Sequence, residues 1–288
     1  MNAQFLAPDD PKWSDPETAR FAVVPCPYEK TTSYMKGTEN GPAKIIEASD
    51  QVEFFDSELG TQPAERGIYT LPACDYSKGT VSDWLNSTEQ VFSDLFARKK
   101  FPLMLGGEHT ISFPPIKAAT KHHDISILHF DAHSDMRDTY HGDKYSHASV
   151  MRRVHEVVKH TYSVGIRAQC KEEREYLNAN KSFGVLYDHE RAKEGLSVER
   201  ALKFLPTKKI YVTIDLDYYS PEVMPSVGTP VPGGGQWYET LHFLRGIFER
   251  REVIGADIVE LRPDHDKRSD FLAAQLAYKL IAYATLGR

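Results

Sequence analysis

Six short runs of apolar, largely β-branched residues recur along the 288-residue chain, at 21–24, 101–105, 125–130, 184–187, 210–214 and 253–259. Each has the length of a strand, and several are apolar at consecutive positions rather than alternate ones. A strand that is apolar on both faces must be covered on both, which is the condition of a parallel sheet held between helices. Amphipathic stretches lie between the runs. In one, Val81, Trp84, Leu85, Thr88, Phe92, Leu95 and Phe96 fall along one side of a helix, with Thr80 or Ser82 capping its first turn. Others start near Pro42, Ser146, Lys171, Ser197, Gln236 and Ser269. This alternation predicts a three-layer α/β/α fold with a mostly parallel central sheet. No linker or internal repeat divides the chain, so residues 1–288 are expected to form one domain.

Ligands of open parallel sheets bind beyond the carboxyl ends of the strands, so the polar residues following each run are the place to look. Gly106-Gly107-Glu108-His109 follows 101–105, Asp131-Ala132-His133-Ser134-Asp135 follows 125–130, Asp215-Leu216-Asp217 follows 210–214, and Glu260 follows 253–259. Asp131, His133 and Asp135 stand at steps of two, which in extended backbone turns them to one side and on a helix would scatter them. Asp215 and Asp217 repeat the step. With His109, six potential ligands can converge, four carboxylates and two imidazoles. Four gathered carboxylates repel one another and take up protons unless cations offset them. Two divalent ions balance that charge, and a pair about 3.5–4 Å apart fits six ligands better than one ion. Oxygen-rich ligation with some imidazole favours Mn²⁺ and leaves Zn²⁺, Co²⁺, Ni²⁺ and Fe²⁺ open. A water bridging such a pair ionises near neutral pH and becomes a nucleophile. The plain alternative is a set of solvated loop carboxylates, which any one motif alone would allow.

Charge and cysteine content narrow the remaining classes. The net charge of −6, from 35 basic and 41 acidic residues, leaves no electrostatic footprint for nucleic acid and is compatible with a cationic substrate. No uncharged apolar run reaches the ~18–20 residues of a membrane span. The first 13 residues, with Asp9, Asp10 and two prolines, lack the basic start and apolar core of a secretory leader. Cys26, Cys74 and Cys170 are odd in number and far apart in sequence, and read as reduced core thiols of a cytoplasmic protein.

These motifs together resemble the ureohydrolases, the family of arginase, agmatinase and formimidoylglutamase. The likeness spans nearly the whole chain. It includes Gly37-Thr38-Glu39-Asn40-Gly41-Pro42, the four strand-end motifs in order, and Gly228-Thr229-Pro230 with Gly233-Gly234. The resemblance implies two Mn²⁺ ions per subunit, one held by His109, Asp131, Asp135 and Asp215, the other by Asp131, His133, Asp215 and Asp217. It implies that Glu260 receives the substrate guanidinium and that His147 assists proton transfer to the leaving amine. Taken alone, Glu260 could be a helix cap or surface residue and His147 a first-turn helix residue. The implied reaction is metal-assisted hydrolysis, in which hydroxide attacks the guanidinium carbon, Asp135 takes its proton and urea is released. The family also implies a homo-oligomer, trimeric or hexameric.

The substrate is narrowed by what is missing. Arginases carry a Ser-Gly-Asn-x-His-Gly segment that helps to read an α-amino acid head. Here Lys144-Tyr145-Ser146-His147-Ala148 stands instead, and its Tyr-Ser-His form is similar to agmatinases. The expected reaction is therefore agmatine plus water to putrescine and urea. Arg137 and Tyr140 are expected to shape the pocket mouth, and Arg137 with Asp138 could suit an aminopropyl- or carboxyaminopropyl-agmatine. Rival readings are a mononuclear zinc deacetylase, which would not need His109, Asp135 and Asp217 together, and a catalytically silent metal-binding subunit. Three positions depart from the family pattern: Glu108 where Asp is common, Ser220 where Asp is common, and Gly235 where Leu is common.

Overall fold

The computed structural model describes residues 3–8 and 10–286; Asp9 and the two ends of the expected 1–288 domain lie outside the described residues. Eight strands form one sheet: β1 (Phe21–Cys26), β2 (Ile68–Thr70), β3 (Phe101–Gly106), β4 (Ile125–Phe130), β5 (Thr161–Ile166), β6 (Phe183–Tyr187), β7 (Lys209–Asp215) and β8 (Glu252–Val259). Their spatial order is β2-β1-β3-β8-β7-β4-β5-β6. Every ladder between these strands is parallel. The flanking helices are α1 (Gly41–Ser49), α2 (Val81–Ala97), α3 (Phe113–His122), α4 (Val150–His155), α5 (Lys171–Ala179), α6 (Asp188–Glu194), α7 (Val198–Leu202), α8 (Trp237–Arg250) and α9 (Arg268–Tyr283). Among the described residues no helix is long and apolar enough to cross a membrane.

Two apolar layers explain why the strand runs lack alternation. Phe21, Leu103, Leu128 and Val212 pack toward Ile45 of α1, Leu244 of α8 and Leu276 and Leu280 of α9. Their chain neighbours Ala22, Met104, Ile127 and Tyr211 pack on the opposite side with Phe92 of α2, Ile116 of α3 and Val154 of α4. Successive side chains of a strand point to opposite faces, so two covered faces demand an apolar residue at each step. Each large side chain so buried contributes about 1.5–3 kcal/mol.

Local signals decide the details. Of the two candidate caps of α2, Thr80 is used: its Oγ1 accepts the Asp83 N–H (3.3 Å) and the Asp83 carboxylate accepts the Thr80 N–H (2.8 Å). Strands β2 and β5 were not among the expected runs. β2 has only three residues, and β5 places Thr161 and Ser163 within its buried span. Helix α3 was also not expected, because Phe113-Pro114-Pro115 reads as a break; the prolines occupy its first turn, where amide hydrogens have no intrahelical partner. The cysteine expectation is corrected in part. Only Cys26 is fully buried, Cys170 sits at the N-cap of α5, and Cys26 and Cys74 meet with sulfurs 3.6 Å apart despite their separation in sequence.

The four strands whose carboxyl ends carry the polar motifs, β3, β8, β7 and β4, are consecutive in the sheet. β3 and β4 follow one another in the chain, yet the crossover through α3 leaves room for β7 and β8 between them. The turn after β3 is closed by backbone contact: Gly107 N–H donates to the Cys26 carbonyl (3.0 Å) and Glu108 N–H to the Tyr28 carbonyl (2.8 Å). A Cβ on Gly107 would lie 2.1 Å from the Tyr28 oxygen. Gly107→Ala is therefore expected to lower stability by about 1–3 kcal/mol through forced backbone displacement. Urea denaturation checks this, and an unchanged midpoint would refute the close approach.

Candidate metal centre and active site

The site is assembled from the ends of β3, β4, β7 and β8. His109 opens a 3-10 turn after β3. Its Nδ1 is 3.1 Å from Asp131 Oδ2, 3.1 Å from Asp135 Oδ2 and 3.4 Å from Asp215 Oδ2. All four side chains are buried. His133 Nδ1 lies 2.9 Å from Asp217 Oδ2 and 3.6 Å from Asp131 Oδ1. Asp131 thus stands between two groups of ligand atoms. Asp131, His133 and Asp217 form one cluster compact enough to hold an ion; His109, His129 and Asp131 form another.

The backbone reaches this arrangement by a route that the step of two did not foresee. His133 continues the strand path, pairing with Ala168. Asp135 does not: its φ is 52°, in the left-handed region, and the turn swings its carboxylate back toward His109. Asp217 lies in the 3-10 turn Leu216–Tyr218, where its N–H donates to Asp215 Oδ1 (2.8 Å). Glu260 also has a positive φ, 66°. Its Oε1 accepts the His109 N–H (2.8 Å), while its own N–H donates to the Gly107 carbonyl (2.8 Å). Such conformations cost non-glycine residues about 1–2 kcal/mol each, and the surrounding contacts hold them in place.

The electrostatics ask for a cation. Burial, then repulsion from Asp131, pushes the Asp135 carboxyl up to about 7. Burial, then Asp217 and Asp131, pushes Asp215 well above the usual carboxylate range. For His133 burial works downward, but Asp217 and Asp131 outweigh it and hold the imidazole at about 12. His109 is likewise raised against its own burial, by Asp131, Asp135 and Asp215. Asp135 and Asp215 are thus driven toward the protonated form and the two imidazoles toward the charged form, while for Asp131 burial is outweighed by the imidazoles of His109, His129 and His133, which keep it well below the usual carboxylate range.

The hydrogen-bond pattern says which atom is meant for it. Ser112 and Thr213 both donate to Asp257 Oδ1, at 3.0 and 2.6 Å. Thr213 Oγ1 is then free to accept the His109 Nε2–H (3.0 Å), which leaves the lone pair on Nδ1. That buried Nδ1 makes no hydrogen bond, although it faces three carboxylates. A donor set of carboxylates and imidazoles around an orphaned imidazole nitrogen fits a divalent metal ion.

A cavity of about 140 Å³ opens beside the cluster, lined by Ser33, His133, Asp135, Arg137, Tyr140, His147, Ala148, Asp215, Asp217, Thr229 and Glu260. The ring of His147 meets that of Tyr140 edge-on at 5.5 Å. The Arg137 guanidinium lies over the Tyr140 ring, 5.4 Å from its centre. Burial, then repulsion from His133 and His109, pushes His147 down to about 4. Asp138 is not among the lining residues and is paired with Arg153 at 2.7 Å. Burial pushes Glu260 well above the ordinary range.

Several supporting residues escaped the sequence reading. His129 donates from Nε2 to Asp131 Oδ2 (2.9 Å), and the step of two continued backward from Asp131 would have found it. The buried Asp257 and Thr213, which orient His109, sit inside apolar runs, and a carboxylate in the middle of a strand was their signal. Of the departures, Ser220 accepts from Gln236 (3.2 Å) and donates its N–H to the Gly235 carbonyl (3.1 Å), so that loop is tied down. Gly235 lies against Tyr218, whose ring atoms a Cβ would approach to 2.4 Å.

An all-parallel α/β sheet carrying a carboxylate–imidazole cluster at its carboxyl edge offers a site able to hold a metal ion. The profile of the Arginase family matches residues 19–283, and the chain belongs to that family as a ureohydrolase. It is 40% identical over 277 residues to the N(1)-aminopropylagmatine ureohydrolase of Synechocystis sp., covering 92% of this chain and 89% of that one. It is 33% identical to the agmatinase of Bacillus subtilis, over 96% of this chain and 93% of that one. The crystal structure of the agmatine ureohydrolase of Thermoplasma volcanium superposes with a TM-score of 0.85 at 29% identity, covering 93% and 91% of the two chains.

Asp131 reaches both groups of ligand atoms, so its loss should be felt by both. Asp131→Asn is expected to lower bound metal by more than half under conditions that saturate the wild type, as measured by elemental analysis. Normal occupancy would remove Asp131 from the ligand set.

Proposed function

We propose that the protein hydrolyses the terminal guanidinium group of an agmatine-type amine, releasing urea, with two Mn²⁺ ions per subunit. His109, Asp131, Asp135 and Asp215 would hold one ion, and Asp131, His133, Asp215 and Asp217 the other. Bound there, the pair supplies Lewis-acid charge and an ionised water at neutral pH. The observation that carries this reading is the orphaned His109 Nδ1 facing three carboxylates, with Glu260 suspended from the same residue's N–H at the cavity wall.

The chain's own residues divide the remaining work. One oxygen of Glu260 is engaged by the His109 N–H, which tethers the carboxylate at the cavity wall. A planar guanidinium placed against a fixed carboxylate gains charge-assisted hydrogen bonds, and its positive charge returns the buried group to its ionised form. Asp135 lines the cavity and takes the proton lost by the attacking water. His147, which also lines the cavity, exchanges the proton that the departing amine needs. Arg137 and Tyr140 form the wall against which the rest of the amine lies. The cytoplasm and a trimeric or hexameric assembly belong to the same proposal.

Agmatine, expected from the sequence, and N(1)-aminopropylagmatine share the reacting end. The second is favoured by the higher identity to the Synechocystis relative than to the Bacillus agmatinase, 40% against 33%. Urea release from Mn²⁺-loaded protein given arginine, agmatine, aminopropylagmatine and carboxyaminopropylagmatine is the deciding experiment. Release is expected from the agmatine-type amines with the greatest kcat/KM for the aminopropyl derivative, and none from arginine. Release from no guanidino compound would leave a silent metal-binding protein. Glu260→Gln retains an acceptor for the His109 N–H but loses the charge. It is expected to lower kcat/KM about 10–100-fold, the worth of a charged hydrogen bond, with metal content unchanged. A fall in metal content would turn Glu260 from substrate contact into ligand.

A further inference from the structure

Glu108 departs from the family pattern, is fully buried and is not among the residues that line the cavity. Its Oε2 accepts the backbone N–H groups of Lys30 (2.5 Å) and Thr31 (2.6 Å). Its Oε1 accepts the hydroxyls of Thr110 (2.6 Å) and Thr31 (2.7 Å). Thr31 Oγ1 in turn accepts the His147 backbone N–H (3.0 Å) and lies 3.1 Å from His147 Nδ1.

A hydroxyl has one proton, and here two acceptors compete for it. The carboxylate is the stronger acceptor and the nearer one, so the Thr31 proton goes to Glu108. Nothing remains on that oxygen but lone pairs, so His147 must carry its own proton on Nδ1. Its Nε2 is then the nitrogen with the free lone pair, and it faces Ser33 Oγ (3.3 Å) at the cavity. We propose that Glu108 is a positioning residue that acts through Thr31 to set the tautomer of His147, so that Nε2 is the atom that takes and returns the proton. This inference rests on the reading of His147 as the proton-transferring group.

The same bookkeeping foretells what an isosteric change does. In Glu108→Gln the two backbone N–H groups still require an acceptor, so the amide oxygen must occupy the Oε2 position. The NH₂ is then forced to the Oε1 position, where it donates to the Thr31 hydroxyl. The Thr31 proton turns to His147 Nδ1, and the ring is driven to the other tautomer, with the hydrogen on Nε2 and no base toward the cavity.

Wild type, Glu108→Gln, Thr31→Val, Thr31→Ser and the double variant Glu108→Gln/Thr31→Val, all Mn²⁺-loaded, are compared by urea release with metal content measured in each. Glu108→Gln and Thr31→Val are each expected to lower kcat by about tenfold or more, the scale of a mis-set acid–base group, with KM within about twofold and metal content unchanged. Thr31→Ser should recover most of what Thr31→Val loses, because it restores the hydroxyl. The double variant should be little worse than either single one, because both act through one hydroxyl. Unchanged kcat in Glu108→Gln, additive losses in the double variant, or losses that follow metal content would each overturn the proposal. No urea from the wild type with any substrate would instead overturn the functional reading beneath it.

Discussion

Four buried carboxylates gathered at the carboxyl ends of two adjacent strands, β4 and β7, impose the condition that the rest of the molecule meets. Left alone they would repel one another, and their environment shows it: Asp135 and Asp215 are driven toward the protonated form, while His109 and His133 are driven toward the charged form. A protein tolerates such a cluster only where function needs positive charge, since uncompensated buried charge is among the costliest arrangements a fold can hold. The fold answers with a scaffold whose sheet is covered by apolar side chains on both faces and that gathers these carboxylates at one edge.

Holding the cluster in place takes a further layer of structure. Asp257, Ser112 and Thr213 settle the proton of His109, and His129 does the same service for Asp131. Asp135 and Glu260 are kept in left-handed backbone so that their carboxylates turn inward. Glycines let the turns close: Gly107 meets the Tyr28 carbonyl, and Gly235 meets the Tyr218 ring. Each of these contacts uses stability of the packed core to maintain an arrangement that would relax if the core were soft. The pocket side is organised by the same means, with buried Glu108 tying the loop at Lys30 and Thr31 to the 3-10 turn that carries His147.

Much of the architecture was legible because its signals are local. Runs that are apolar at consecutive positions announce a covered parallel sheet, and the Thr80–Asp83 pair announces the start of α2. Where the signal was weak, the reading failed for identifiable reasons: hydroxyl residues interrupted β5, and prolines disguised α3. The six side chains that converge at the strand ends could be picked out because carboxylates and imidazoles directly after buried strands are expensive to bury unpaired. The pairing of Asp138 with Arg153 was not legible, because nothing in the sequence joins two residues fifteen positions apart.

By itself the sequence determined the layer architecture and the residue types at each strand end. Those properties follow from composition and period along the chain, which chemistry reads one segment at a time. Only the tertiary structure decided that β7 and β8 lie between β3 and β4, that Asp135 turns back, that Asp257 rather than a nearer residue orients His109, and that Glu108 reaches His147 through Thr31. Strand order and hydrogen-bond direction join residues more than 100 positions apart, and no local pattern encodes which distant donor a given lone pair will meet.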